Sequence, residues 1–269
     1  MTLDDIRSAL LAAAEAAAVP CAVHTLDAVG STNTWLSERP APAAGAAEAV
    51  LALHQTAGRG RAGRTWQAPR GSGLCFSVSW TYEHMSAHAS ALTLALGVAA
   101  ARALESLGLG EAMLKWPNDL VWQDRKLGGI LVESSVAPNG VFRVIAGVGI
   151  NLQLPESFSL DDSASGWSRG IVDLASAQVD TTLANLGAAV LGAWLPCLAA
   201  FEHAWLAETV EAFNRRNWLH DRACELEGEM MRCGDVDAEG RLLVVGMNDG
   251  HERALESGEI VPLAWSAAS

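Results

Sequence analysis

Lysine is almost absent from this chain. Of 269 residues only Lys115 and Lys126 are lysine, against sixteen arginines. Where any positive charge serves, such a composition has arginine, so two lysines eleven positions apart ask for an explanation. Positive charge is scarce overall: 18 Lys and Arg face 31 Asp and Glu, giving a net charge of −13 and a pI near 4.9. That balance argues against broad, non-specific binding of nucleic acid, which needs clustered cations to neutralise phosphates. It leaves room for a small anionic ligand in a locally basic site. No CxxC pair occurs; Cys21, Cys75, Cys197, Cys224 and Cys233 are odd in number and scattered. They read as reduced, mostly buried thiols of a cytoplasmic protein. No run approaches the length needed to cross a membrane. The N-terminus TLDDIRSALLAAAEAAAV lacks the basic start of a signal peptide and reads as a short surface helix. We find no internal repeat.

What is present suits one substantial domain with a smaller attachment. Half the residues are hydrophobic, enough for a sizeable core. VHTLDAV alternates, and Ser31 or Thr32 is placed to cap a short helix through Leu36. Residues 40–47 read as a loop. AVLALHQ and LCFSVSW read as strands, and residues 86–107 as a helix. MLKW, DLVW, GGILVESS and FRVIAGVGINL give short strands separated by turn signals at Pro117-Asn118, Asp124 and Pro138-Asn139-Gly140. Residues 181–217 are helical, with Pro196 expected to break or kink the pattern. After Trp218, ACELEG, MMRCGDVD, RLLVVGM and EIVPL read as strands of a small all-β unit. The expected fold is therefore α+β, with residues 1–218 around a mixed or antiparallel sheet and residues 219–269 as the small β domain.

GRGRAGR, residues 58–64, matches the spacing GxGxxG after a strand. The dinucleotide reading fails on context, because RTWQAPRGSG follows where that fingerprint needs an apolar helix. The stretch instead carries Arg59, Arg61, Arg64 and Arg70, with no acidic residue from Gly58 to Gly73. A solvated basic loop is the bland reading. Four of sixteen arginines in one stretch of an acidic chain favour a mobile anion-binding loop, since guanidinium forks suit carboxylate or phosphate. The two lysines flank Pro117-Asn118-Asp119, whose turn lets the segments on either side pair and turns both amines into one cleft. Either lysine alone would pass for a surface charge. Together they suit a compact charge that follows an anion through a reaction. Asn118 and Asp119 either make the turn or serve a ligand.

Three motifs now stand in order: GSTN at 30–33, QTAGRGRAGRTWQAPRGSGL at 55–74 and KWPNDLVWQDRKLGGILVE at 115–133, with GVGINL following at 147–152. Together they resemble the biotin–protein ligases over residues 26–152, and more weakly to the C-terminus, where the family has an SH3-like domain. The resemblance implies activation of biotin with ATP and magnesium to biotinyl-5′-AMP, then transfer to one lysine of a biotin carboxyl carrier protein or domain. It implies no fixed metal site in the protein. By motif, Ser31, Thr32, Asn33 and Gln55 would line the biotin pocket, and Arg59, Gly60 and Arg61 would close over biotin and the adenylate phosphate. Arg64 would assist with phosphate. Lys126 would contact the reacting carboxylate and phosphate, and Lys115 the same centre or the leaving pyrophosphate. Asn118, Asp119 and Asn151 would support the adenylate or the acceptor lysine.

Two departures stand out: Ala68 where the family often has serine, and Gly129 where alanine is common. Neither is expected to touch the charged groups. Trp167 is the counterpart considered for the adenine wall, and Trp66 reads equally as a loop residue or a packing anchor. With the first motif at Gly30, one helix and one strand precede it, so a winged-helix repressor module is not expected. Lipoate or octanoate transferases share this fold and are the alternative enzyme. Cys75 reads as a packing residue, not their nucleophile. A biotin-binding sensor is the non-enzymatic alternative. Whether two copies pair as a homodimer is left open.

Overall fold

The computed structural model describes residues 1–83, 89–136, 141–158, 170–201, 206–258 and 260–263. A seven-stranded mixed sheet carries the molecule, in the order β1-β2-β3-β7-β6-β5-β4. Its strands are β1 (Cys21–Leu26), β2 (Ala47–Ala52), β3 (Gly73–Tyr82), β4 (Met113–Lys115), β5 (Asp119–Trp122), β6 (Arg125–Val136) and β7 (Phe142–Asn151). Among the described strands of this sheet only β1 and β2 pair in parallel; the other pairings are antiparallel. Strand β3 is buried along its whole length because both sheet faces are covered. One face carries α1 (Leu3–Ala16), α3 (Ala89–Ser106) and α4 (Leu183–Ala200); α2 (Thr32–Ser37) lies against β2, β3 and β7 on the other.

The N-terminal helix forms because Thr2 and Asp5 make a reciprocal capping box. It is not merely a surface helix: Ile6, Leu10 and Ala14, one face at i, i+4 and i+8, are buried against α4. Helix α4 runs through Pro196 without a break, contrary to the sequence expectation. It is also the exception to the absence of long apolar runs. Its eighteen residues are long and apolar enough to span a membrane by length and composition, yet over half of that stretch is buried inside the fold. It packs on α1, α3 and β3, and hydrophobic burial accounts for its composition.

Helix α5 (Leu206–Asn214) leads into a four-stranded antiparallel sheet, β11-β10-β9-β8, made of β8 (Ala223–Leu226), β9 (Glu229–Val236), β10 (Leu242–Gly246) and β11 (Glu252–Leu255). The fourth strand is thus Glu252–Leu255 and not EIVPL. Of the described part of EIVPL, Pro262 makes one isolated bridge to Cys224, and a proline has no N–H to extend a ladder. This small sheet is stitched to the large one. Trp116 donates its indole N–H to the Gly240 carbonyl (3.0 Å), and Asn217 its amide to Gly234 (2.9 Å). Asp124, at the β5–β6 turn, accepts from Trp218 Nε1 (2.6 Å) and from Arg222 (2.9 Å). The five cysteines are free thiols, four of them buried. The turn expected at Pro138-Asn139-Gly140 and the adenine counterpart Trp167 lie outside the described residues.

Candidate active site

The site begins with two glycines. Gly147 and Gly149, two apart on β7, point to the same face. Across the sheet Gly147 stands between Ser77 and Leu131, and Gly149 between Cys75 and Gly129. The missing side chains leave a trough, and two groups fill its ends. A Cβ on Gly147 would overlap the Asn33 amide oxygen; one on Gly149 would overlap the Trp66 indole. GVGIN therefore reads as a demand for close approach.

Upon this floor sits a neutral hydrogen-bonding wall. Ser31 caps α2 by backbone conformation, with no side-chain cap bond, so its hydroxyl is not spent on the helix. Thr32 donates its N–H (2.7 Å) and hydroxyl (3.0 Å) to Gln55 Oε1. The Ser77 hydroxyl lies 2.7 Å from Thr32 Oγ1 and 2.6 Å from Asn33 Oδ1. Two hydroxyl protons thus serve three oxygen–oxygen contacts. The array is richer in acceptors than donors and favours a ligand that brings N–H groups. Asn33 turns its Nδ2 outward, to Glu133 Oε2 (2.8 Å) and the Leu131 carbonyl (3.3 Å).

The glycine-arginine stretch arches over the trough. Its stem is closed by an Arg59–Thr65 bridge, by Gly60 N–H to the Arg64 carbonyl (2.7 Å) and by Trp66 N–H to the Gly58 carbonyl (2.9 Å). Arg61–Gly63 makes a single 3-10 turn, and no α-helix follows, as the sequence context implied. Arg59 pairs with Glu133 (2.6 Å), and Arg70 ties the far end to Asp27. The buried Trp66 indole N–H meets no oxygen or nitrogen partner; the Cys75 sulfur is beside it. Burial pushes the Cys75 thiol up to about 11, which leaves it an uncharged wall group at neutral pH.

Beyond the arch come the lysines. Strands β4 and β5 pair Lys115 opposite Asp119, and β5 pairs with β6, which carries Lys126. The turn between β4 and β5 is fixed by Asn118, whose amide donates to the Ile130 carbonyl (2.8 Å) while its own carbonyl accepts from the Ile130 N–H (2.9 Å). Lys126 Nζ lies 2.8 Å from Asp119 Oδ1, both groups mostly buried. Lys115 is only 4% exposed. A Cβ at Gly129 would stand 3.3 Å from Asp119 Oδ1, so this departure from the family pattern does border the charged pair, contrary to expectation. Asn151 donates to the Val172 carbonyl (3.0 Å), and residues 170–172 pair with the Lys126 backbone.

One cavity of about 410 Å³ collects all of this. Ser31, Thr32, Asn33 and Gln55 line it, as do Arg59, Gly60, Arg61 and Arg64. So do Lys115, Asn118, Asp119, Lys126 and Asn151. Every polar and charged site residue expected from the sequence is therefore brought to one place. Sequence reading did not assign Ser77, Glu133, Gly147, or Ser257 and Gly258, which reach the cavity from beyond β11. Ser77 had a signal: serines at 77 and 79 form a polar face on an otherwise apolar strand. Glu133 ends the stretch KWPNDLVWQDRKLGGILVE, but nothing in its spacing named its partners. Ser257 and Gly258 carry no signal at all, since only the docking of the small sheet brings them here.

The fold and site define an α+β protein whose cavity joins a neutral, hydrogen-bonding pocket to a cationic centre. Residues 26–151 match the model of the biotin/lipoate A/B protein ligase family. The Escherichia coli bifunctional ligase/repressor BirA is 31% identical over 242 residues, covering 88% of this chain and 73% of that protein. In fold, the chain is similar to the biotin protein ligase from Aquifex aeolicus in complex with biotin and ATP, with a TM-score of 0.72 at 24% identity over 90% of this chain and 98% of that one. It is also similar to the ligase from Leishmania major in complex with biotinyl-5-AMP, with a TM-score of 0.59 at 26% identity over 87% and 98%. The chain belongs to the biotin–protein ligase family and is an enzyme of that kind.

Proposed function

We propose that this ligase joins biotin to the α-phosphate of ATP, releasing pyrophosphate, and then passes the biotinyl group to one lysine of a biotin carboxyl carrier protein or domain. The observation that carries this is the polarity of the cavity. A neutral ureido ring needs fixed polar partners and brings two N–H groups; beside Ser31, the array of Thr32, Asn33, Gln55 and Ser77 has two hydroxyl protons for three oxygen–oxygen contacts. The far end carries Lys115, Lys126 and the arginines of the arch. Biotin's carboxylate and the α-phosphate repel each other, so bringing them together needs positive charge on several sides.

In this reading the carboxylate oxygen attacks the α-phosphorus and the bond to pyrophosphate breaks. Lys126 bridges carboxylate and phosphate; Lys115 takes the same anion or the leaving pyrophosphate. Arg59, Gly60 and Arg61 close over the mixed anhydride and keep water out, and Arg64 holds phosphate. The carrier lysine then attacks the acyl carbon and AMP leaves, with Asp119 orienting the amine and Asn118 and Asn151 holding the adenylate side. Among the described residues Asp119 is the one acidic group lining the cavity, and it is paired with Lys126. That donor set fits a magnesium ion carried by the nucleotide's own phosphates and waters. The metal would supply neutralisation of the phosphate charge.

We read the chain as a ligase without repressor activity, acting in the cytoplasm. Its acidic balance, poorly suited to neutralising nucleic-acid phosphates, supports the absence of repressor activity. The division into a catalytic unit, 1–218, and a small β unit, 219–269, belongs to the same reading. The test is exchange of labelled pyrophosphate into ATP with biotin, lipoate or octanoate. Exchange with biotin alone is expected. Exchange only with lipoate or octanoate moves the substrate, and none with any acid in folded protein refutes the enzyme's proposed half-reaction.

A further inference from the structure

We propose that Glu133 is a positioning residue with two roles: it fixes the Asn33 amide of the neutral wall, and it latches the arginine arch until an anion competes for Arg59. The proposal rests on the biotin-ligase reading of the cavity. Glu133 lies two residues beyond Leu131, which stands across from Gly147, so its side chain leaves β6 on the trough's face at the rim. One carboxylate oxygen, Oε2, accepts from Asn33 Nδ2 at 2.8 Å and from Arg59 Nη2 at 2.6 Å.

Each contact sets something the chemistry needs. An asparagine amide can face either way, and its partners decide. Here the carboxylate holds Nδ2 outward, so Oδ1 faces Ser77 and the trough. Arg59 is the stem of the arch, through its bridge to Thr65. Glu133 therefore ties that stem to the same strand that holds the amide. The Arg59–Glu133 pair is 44% and 37% exposed, so solvent weakens it. An incoming anion can draw Arg59 away while Asn33 keeps its partner. The carboxylate is thus a latch on one side and a fixed reference on the other.

Trypsin cuts after arginine, so nicking between Arg59 and Arg64 in ligand-free protein reads the latch directly. In Glu133→Ala, nicking is expected to rise about fivefold, the scale of a half-exposed ion pair. The biotin KM in pyrophosphate exchange should rise about tenfold, the scale of one lost charge-assisted hydrogen bond, with the ATP KM within about twofold. Glu133→Gln separates the two roles: its amide oxygen can still accept from Asn33, but it has no charge for Arg59. It should nick faster while keeping most of the biotin KM. Wild-type nicking and wild-type biotin KM in Glu133→Ala would overturn the proposal, as would wild-type nicking in Glu133→Gln. If the alanine variant does not fold, the glutamine variant alone decides by the same nicking criterion. If wild-type protein shows no exchange with any acid, the functional reading fails, while ligand-free nicking still decides whether Glu133 holds the arch.

Discussion

The two ends of the cavity are built on different principles. The neutral end rests on the middle of the sheet and on α2, and its groups satisfy one another: Thr32 with Gln55, Ser77 with Thr32 and Asn33. The cationic end comes from an arch and two hairpins, and carboxylates hold many of its charges. Lys126 has Asp119, Arg59 has Glu133 and Arg70 has Asp27. In a chain of net charge −13, acidic side chains hold these cations in place, and on the proposed mechanism a substrate anion competes for them. Shape and register therefore set what the neutral end accepts, and charge exchange sets what the cationic end does. Substitutions at the two ends should fail in different ways.

The largest effect should come from Lys126→Met. Removing one positive charge aimed at a developing anion costs on the order of 10²–10³ in rate. Biotin-dependent pyrophosphate exchange should fall by that factor. The variant should also lose stability, because Asp119 is mostly buried and loses its partner. Asp119→Asn combined with Lys126→Met should recover the stability and not the exchange. Thermal melts beside exchange rates measure both; if stability and exchange recover together, Lys126 acts through folding and the comparison collapses.

The neutral end should break through geometry. In Gly147→Ala the new methyl overlaps the Asn33 amide, and overpacking of this kind costs about 1–3 kcal/mol. The biotin KM should rise about ten- to a hundredfold, the same energy expressed in binding, while the ATP KM stays within about twofold. Titrating each substrate separately checks it. An equal loss for both would mean that the two ends are not independent.

How much of this was readable beforehand divides along the same line. Charges in the glycine-arginine stretch and the two lysines stood out because the rest of the chain is poor in them. Most strands stood out by alternation, and the helices by apolar runs, since local patterning follows burial. The docking of the small sheet did not. Trp116 reaching Gly240, or Gly258 reaching the cavity, joins residues more than a hundred positions apart with no local trace. EIVPL had strand composition, but its proline removes the donor a ladder needs. Pro196 suggested a break that the packing of α4 on α1 and α3 overrides.

A last contrast separates the ends by pH. Asp173 accepts from Leu154 N–H and Ser176 N–H, each at 2.7 Å, next to the Val172 segment that pairs with the Lys126 backbone. Burial alone would raise its pKa, but a hydrogen bond with the Ser176 side chain, together with these two N–H bonds, outweighs it and holds the carboxyl below its usual value of 3.8. A lowered pKa in the folded state stabilises the fold above 3.8, and the contribution is lost as pH falls through the folded value. Asp173→Asn should therefore cost about 1–3 kcal/mol at neutral pH, the scale of hydrogen bonds to a buried charged acceptor. The difference from wild type should shrink below pH 3.8. Thr32, Ser77 and Gln55 carry no charge, so Ser77→Ala should be destabilised by the same amount across that range. Melting both variants from neutral to acid pH tests the contrast. A parallel acid response would mean that the carboxylates beneath the cationic end are not what holds it.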